Sequence, residues 1–207
     1  MDNSEIAKGI RSCVLLFATV VVLSLVYTFF ITWGAQILMP YQAGGSLLYV
    51  NGTIVGSELI GQSFSSPGYF HGRPSAVDYN ASNSGGSNYG ATSAALMEQV
   101  RQRVAMVRSE NNLSPNTSVP ADLVLASGSG LDPHISPEGA MVQVARVAQV
   151  RGRPEPEVKA LVDQYTEMPQ FGFLGQTRIN VLKLNIALDG LAGREKQLPN
   201  LPDLAGA

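Results

Sequence analysis

ASGSGLDPHISPEGA, residues 126–140, sets the reading of the rest of the chain. It brings Ser129, Asp132 and His134 close together among glycines and prolines. Those residue types can supply a nucleophile, a carboxylate and a base. A catalytic triad needs its members to converge in space, and neighbours on one tight turn rarely do so. The nucleophile elbow G-x-S-x-G is also missing: Ser129 sits in S-G-S-G-L and Ser87 in G-G-S-N-Y. The same residues make a well-defined connector. Ser-Gly steps bend the chain, Asp132-Pro133 starts a turn, and Asp132 and His134 pair with nearby backbone groups. Ser136-Pro137-Glu138 then opens a helix, with a serine cap, proline at the first helical position and an acid at the positive end of the dipole. That helix is expected to reach residue 150 or 151, where Gly152 ends it. A membrane-anchored cell-envelope serine hydrolase using Ser129 and His134 stands as the competing reading.

Working outward, PADLVLAS (120–127) reads as a buried strand feeding the turn. Upstream, residues 91–111 read as a helix with Leu96, Val100, Val104 and Val107 on one stripe, and Arg101, Arg103 and Arg108 on a solvated face. Downstream, PEPEVKALVDQYT (154–166) is a second helix. Residues 177–191 alternate apolar and polar between Leu182 and Leu188, which favours a strand that turns helical only toward its end. SLLYVNGTIV (46–55) is a hairpin around Asn51-Gly52, a pair that tolerates the positive φ angles of a tight turn. The expected fold class is therefore a mixed α/β (α+β) domain over 40–192, with a loose tail over 193–207.

Residues 66–90 are too rich in Gly, Pro, Ser and Asn for regular structure, yet carry Tyr69, Phe70, Tyr79 and Tyr89. An ordered loop that packs these rings, or presents them to a partner, explains that composition. Arg73 and Asp78 are placed to fix it internally. NSGGSN (83–88) could cup an anion with backbone N–H groups, but a P-loop lysine is absent and a surface turn is the simpler reading.

The amino terminus is an anchor. No charged residue occurs from Ser12 to Ser57, and CVLLFATVVVLSLVYTFFITW (13–33) is overwhelmingly apolar. A helix of that length spans roughly 30 Å, the hydrocarbon thickness of a bilayer. Tyr27, Phe29, Phe30 and Trp33 gather at its far end, as at a membrane boundary. Lys8 and Arg11 precede the span and no basic residue follows until Arg73, so residues 1–11 are expected in the cytoplasm, 12–39 in the membrane and the domain outside. With 14 basic and 16 acidic residues and no basic block, nucleic-acid binding is disfavoured. One cysteine and two distant histidines point to no disulfide and no metal site.

Several phrases then add up: GSELIGQSF (56–64), YFHGRPSAVDY (69–79), NSGGSNYG (83–90), DLVLASGSGLDPHISP (122–137), RVAQVRG (146–152) and RINVLKLNIALD (178–189), in that order after one span. Together they resemble the C-subunit family of Kdp-type potassium-transporting ATPases, from about residue 8 to residue 190. The family often has proline where this chain has Ala91 and Thr177. The resemblance implies an accessory, non-catalytic subunit of an ATP-driven, high-affinity potassium importer of bacterial inner membranes, needed for assembly and activity. It implies as partners a channel-like potassium-conducting subunit, a P-type ATPase subunit and a very small membrane peptide, with lipid around the anchor. Tyr69, Phe70, Tyr79 and Tyr89 become candidate partner contacts. No cofactor is expected to bind tightly. One view makes the chain a catalytic chaperone that raises the pump's affinity for ATP, with Ser84, Gly85, Gly86 and Ser87 as the nucleotide contact. The other places the domain outside, over the ion entrance of the channel-like subunit. The chain itself lacks the D-K-T-G phosphorylation motif and the T-V-G-Y-G filter.

Overall fold

The computed structural model describes residues 3–195. The chain divides into two compact units, Met1–Leu47 and Leu48–Ala207. The first is dominated by α1 (Asn3–Leu38), 36 residues long. Its stretch Ser4–Leu38 is long and apolar enough to cross a membrane, and its apolar side chains are exposed. Thr19 and Thr28 donate to the carbonyls of Leu15 and Ser24, both at 2.8 Å, so these hydroxyls are satisfied inside the helix as an apolar solvent requires. A single turn, α2 (Pro40–Ala43), follows with proline in its first turn.

The second unit is mixed helix and strand, as the patterning predicts. β1 (Leu47–Val50) and β2 (Thr53–Ser57) form the expected hairpin, with Asn51 and Gly52 at φ 51° and 78°. Residues 58–93 form an ordered loop carrying one 3-10 turn at Ala81–Asn83. α3 (Ala94–Glu110) starts where Ser93 accepts the N–H of Leu96. Its apolar stripe is half-buried, but the arginines do not all face solvent. Arg103 donates to the carbonyl of Val124 at 2.9 Å and Arg108 to that of Thr117 at 3.1 Å, clamping the segment that follows; only Arg101 is exposed. Arginine does this well because its long stem lies on apolar surface while the fork reaches backbone acceptors.

Three expectations are corrected here. Residues 120–127 form a 3-10 turn at Ala121–Leu123, not a strand. The apolar run is too short to separate a strand from a helical turn by periodicity, and the Val124 and Leu125 N–H groups both close onto the carbonyl of Ala121. The helix after Ser136 is two pieces, α4 (Pro137–Met141) and α5 (Val144–Arg151). Ser136 caps the first through Gly139 N–H, and Gly152, at φ 63°, ends the second. The break falls where Gln143 turns its side-chain amide onto the carbonyl of Gly139 and tightens its own N–H onto Ala140. Finally, residues 177–191 are strand only over β5 (Arg178–Asn180), after which α7 (Val181–Glu195) begins. Asn180 ends the strand and its side chain accepts the N–H of Lys183 at 3.1 Å, as a helix cap does. α7 takes in residues 193–195 of the expected loose tail; 196–207 lie outside the described residues.

α6 (Glu155–Gln164) is the predicted helix, and β4 (Thr166–Glu167) follows it. β5 pairs antiparallel with β4 on one side and with β3 (His134–Ile135) on the other, in register His134 to Asn180 and Thr166 to Ile179. The two-residue β3 lies inside the opening stretch. Helices α4 to α7 cover this small sheet, and the core joins Ile135 and Ile179 from the strands to Val147, Val158, Val162, Leu184 and Leu188 from the helices. Each fully buried aliphatic side chain contributes about 1.5–3 kcal/mol.

Candidate functional site

The ASGSG turn is a backbone seam. Residues 127–132 are gripped along their length by the preceding loop. Ser127 N–H donates to the carbonyl of Pro74, and Gly61 N–H donates to that of Leu131 at 2.8 Å. The Ser75 hydroxyl donates to the carbonyl of Gly130 at 2.7 Å while accepting the N–H groups of Val77 and Tyr79. Ser84 hydroxyl and Gly85 N–H both donate to the carbonyl of Ser129, at 3.0 and 2.9 Å. Small residues are required on both sides because backbones approach directly. A Cβ on Gly86 would lie 2.9 Å from the Gly128 oxygen, and one on Gly61 would lie 2.6 Å from that of Asp132. The serine-glycine phrases at 83–88 and 126–130 are thus two halves of one joint.

At the end of the seam lies a polar cleft of about 360 Å³ between Arg73, Asp122, Asp132, His134, Ser136 and Arg178. Its two arginines are paired with carboxylates. Arg73 Nη1 meets Asp132 Oδ2 at 3.0 Å, and Arg178 Nε meets Glu167 Oε2 at 3.1 Å. Arg73 therefore fixes the loop through Asp132, not through Asp78, which is exposed. Asp132 Oδ1 accepts the His134 N–H at 3.0 Å and lies 3.6 Å from His134 Nδ1. Burial pushes the Asp132 carboxyl up, but the His134 ring and backbone N–H and then the Arg73 charge outweigh it and hold the group below 3.8. Burial, and then the Asp132 charge, push the neighbouring Tyr79 phenol up. Among the described residues no hydrogen bond joins Ser129 to His134: Ser129 Oγ accepts the N–H of Leu131, and the imidazole faces Asp132. No cluster of three or more metal-ligating side chains occurs among the described residues.

This network carries a pH prediction. A carboxylate whose folded pKa is depressed stabilises the fold above its unfolded value and loses that contribution as pH falls through the folded value. The melting temperature should therefore decline below about pH 4 more steeply in the natural chain than in Asp132→Asn, measured by thermal unfolding from about pH 6 to 3. Parallel curves would remove Asp132 from the acid limb.

The four loop aromatics separate. Phe70 offers no surface to a partner: it is fully buried in the core. Its backbone is held by Asn185, whose oxygen accepts the Phe70 N–H at 2.9 Å while its nitrogen donates to the Phe70 carbonyl at 3.0 Å. Gln143 repeats this at the next residue, accepting the His71 N–H and donating to the His71 carbonyl. Tyr79 is half-buried, with its hydroxyl donating to the Arg73 carbonyl at 2.5 Å. Tyr69 leans on Phe64, donates to Asp189 at 3.0 Å and lies under the Arg151 guanidinium, 4.6 Å from ring centre. Tyr89 is exposed and accepts from Gln99 at 3.4 Å. Sequence reasoning missed the clamps Asn185, Gln143 and Arg146; their only signal was a polar residue on the buried side of an apolar helix.

The model of the K+-transporting ATPase C chain, KdpC, matches residues 9–190, a span that includes both halves of the seam. The chain belongs to the KdpC family. Among its relatives, the potassium-transporting ATPase KdpC subunit of Rhodopseudomonas palustris is 48% identical over 202 residues, covering 90% of this chain and 99% of the relative. That of Methylococcus capsulatus is 54% identical over 170 residues, 80% of this chain and 88% of the relative. That of Caldanaerobacter subterraneus is 51% identical over 168 residues, 81% and 87%. As a KdpC family member the chain is a subunit of a potassium-transporting ATPase, with one amino-terminal helix fit to cross a membrane.

Proposed function

We propose that the chain is the non-catalytic accessory subunit that holds this potassium importer together in the bacterial inner membrane, with its amino terminus in the cytoplasm and its folded domain outside. The observation that carries the reading is the KdpC match over nearly the whole chain. Lys8 and Arg11 ahead of the span support the orientation. Its partners are the channel-like potassium-conducting subunit, the P-type ATPase subunit and a very small membrane peptide. Ser84, Gly85, Gly86 and Ser87 serve the seam in this reading, because Ser84 and Gly85 already donate to Ser129. An effect on the pump's ATP affinity then reaches the nucleotide by coupling through the complex, not by direct contact. Tyr89, the most exposed of the four loop aromatics, is the partner contact this loop offers.

The test is a mild-detergent recovery of tagged chain from its native membranes, with the eluate assayed for potassium-stimulated ATP hydrolysis. Co-recovery of two larger subunits with that activity is expected. A photoreactive ATP analogue should label a larger subunit and leave this chain unlabelled. Recovery of the chain alone and inactive, under conditions that preserve such complexes, counts against the reading. Labelling at residues 84–87 would return the nucleotide contact to this chain.

A further inference from the structure

A groove of about 690 Å³ opens between the β1–β2 hairpin and α7. Val50 and Val55 line it from the hairpin, and Leu182 and Ile186 from the helix. Phe64 and Tyr69, their ring centres 5.5 Å apart, line it from the loop. The hairpin lacks support of its own. Among the described residues β1 and β2 pair only with each other, and an isolated two-stranded hairpin is marginal in water. Val50, Val55, Phe64, Tyr69 and Ile186 are left half-buried. Something that fills the groove would complete their burial and hold the hairpin to α7. The same chain carries a suitable segment nearby. Gly190 lines the groove, and five residues later α7 ends at Glu195. KQLPNLPDLAGA (196–207) comes next and lies outside the described residues, but its sequence is regular: Leu-Pro recurs every third residue through LPNLPDL (198–204). Proline fixes φ near −65°, and a polyproline II helix turns once in three residues. In that conformation Leu198, Leu201 and Leu204 share one edge, Pro199 and Pro202 the next, and Asn200 and Asp203 the third. Proline-rich segments of this kind dock in aromatic-lined grooves at low entropic cost.

We propose that residues 198–204 of this chain lie in the groove as a polyproline II segment antiparallel to α7, with the leucine and proline edges inward, and lock the hairpin onto the helix. The lengths agree. At about 3.1 Å per residue, 198–204 spans roughly 19 Å, and at about 1.5 Å per residue α7 covers the same distance from Leu182 to Glu195. Lys196 and Gln197 are left to make the return. The tether favours this occupant over a separate molecule, because a short connection gives a local concentration on the order of millimolar, at which even a weak contact is populated. The lining also favours a peptide over an acyl chain. It includes the side-chain amides of Asn51 and Gln62, and a backbone offers them carbonyl acceptors that hydrocarbon lacks.

The test compares amide exchange in the full chain, in mild detergent, with that in a chain lacking residues 196–207 and in the triple variant Leu198→Ser, Leu201→Ser, Leu204→Ser. Both changes should speed exchange across residues 48–55 roughly tenfold or more and leave α4 to α6 as they were. Adding the free peptide KQLPNLPDLAGA at millimolar concentration to the shortened chain should restore the protection. In parallel, photoreactive p-benzoyl-phenylalanine is placed at position 201 of the full chain, irradiated in native membranes, and its adducts are mapped by mass spectrometry. Adducts within the chain, to residues 48–64 or 182–190, are expected. Unchanged exchange of the hairpin on deletion would overturn the proposal. So would faster exchange that the peptide fails to restore, or adducts only with lipid or with another subunit, which would give the groove a different occupant.

Discussion

Arg146→Ala should lower the melting temperature of the folded unit by about 10 °C, through a loss of roughly 3–5 kcal/mol. Arg146 is 6% exposed and serves four acceptors at once. Its Nε donates to Asn111 Oδ1 at 2.9 Å, Nη1 to the carbonyls of Pro67 and Tyr69, and Nη2 to Gln143 Oε1 at 2.8 Å. Truncation leaves these acceptors facing a dry hole, and an unmet buried acceptor costs about 1–3 kcal/mol. The loss also propagates, because Gln143 is the residue that clamps His71. His71 itself is held below its ordinary value of 6.5 by burial and then by the Arg146 charge, although Glu110 and the Ser66 carbonyl pull the other way. Arg146→Lys keeps the charge but not the planar fork, so it should recover only part of the loss. Arg101→Ala, on the exposed face of α3, should change stability by no more than about 0.5 kcal/mol. Thermal unfolding of the full chain in mild detergent reads all three. An Arg146→Ala chain that melts within about 2 °C of the natural one would show that the hub holds nothing.

Gly130→Ala should be the next most damaging change, at about 3 kcal/mol, and should also reduce recovery of the complex. Gly130 lies at φ 69°, where a side chain adds about 1–2 kcal/mol of strain. A Cβ there would meet Val77 Cγ2 at 2.5 Å and the Gly85 oxygen at 2.8 Å. The oxygen is backbone and cannot step aside, so the two halves of the seam must part, at an overpacking cost of about 1–3 kcal/mol. Gly128, two residues earlier, is the control: a Cβ there meets nothing within 4 Å. Gly128→Ala should therefore behave as the natural chain. Melting temperature and amide-exchange protection of residues 83–88 would both be measured. Equal behaviour of the two alanine variants would mean that close packing at the seam is not what makes this turn necessary.

Some features were legible because they depend only on neighbours in sequence. The anchor follows from an uncharged apolar run, the hairpin from Asn51-Gly52, and a helix start from Ser136, which accepts the N–H three residues on. Those are local effects, and local chemistry settles them. The segment 177–191 shows where that stops. Leu182, Leu184, Ile186 and Leu188 fit a strand's alternation, while Val181, Leu184, Asn185 and Leu188 fit a helix face. The second pattern is the buried one: among the described residues β5 pairs with the two-residue β3 and β4, and beyond Asn180 the chain covers the core instead.

What the sequence by itself determined is the anchor, the mixed class of the domain, the turn chemistry of ASGSGLDPHISP and, through its phrases, the family. Only the tertiary structure decided what the turn is for. Ser84, Gly85 and Gly86 meet residues 128–130 across more than forty positions of sequence, and no periodicity encodes that meeting. It likewise decided that Phe70 is core while Phe171 and Phe173 are surface. A phenylalanine carries the same apolar area wherever it stands; whether that area is buried depends on which other segments arrive beside it, and that is set by long-range packing.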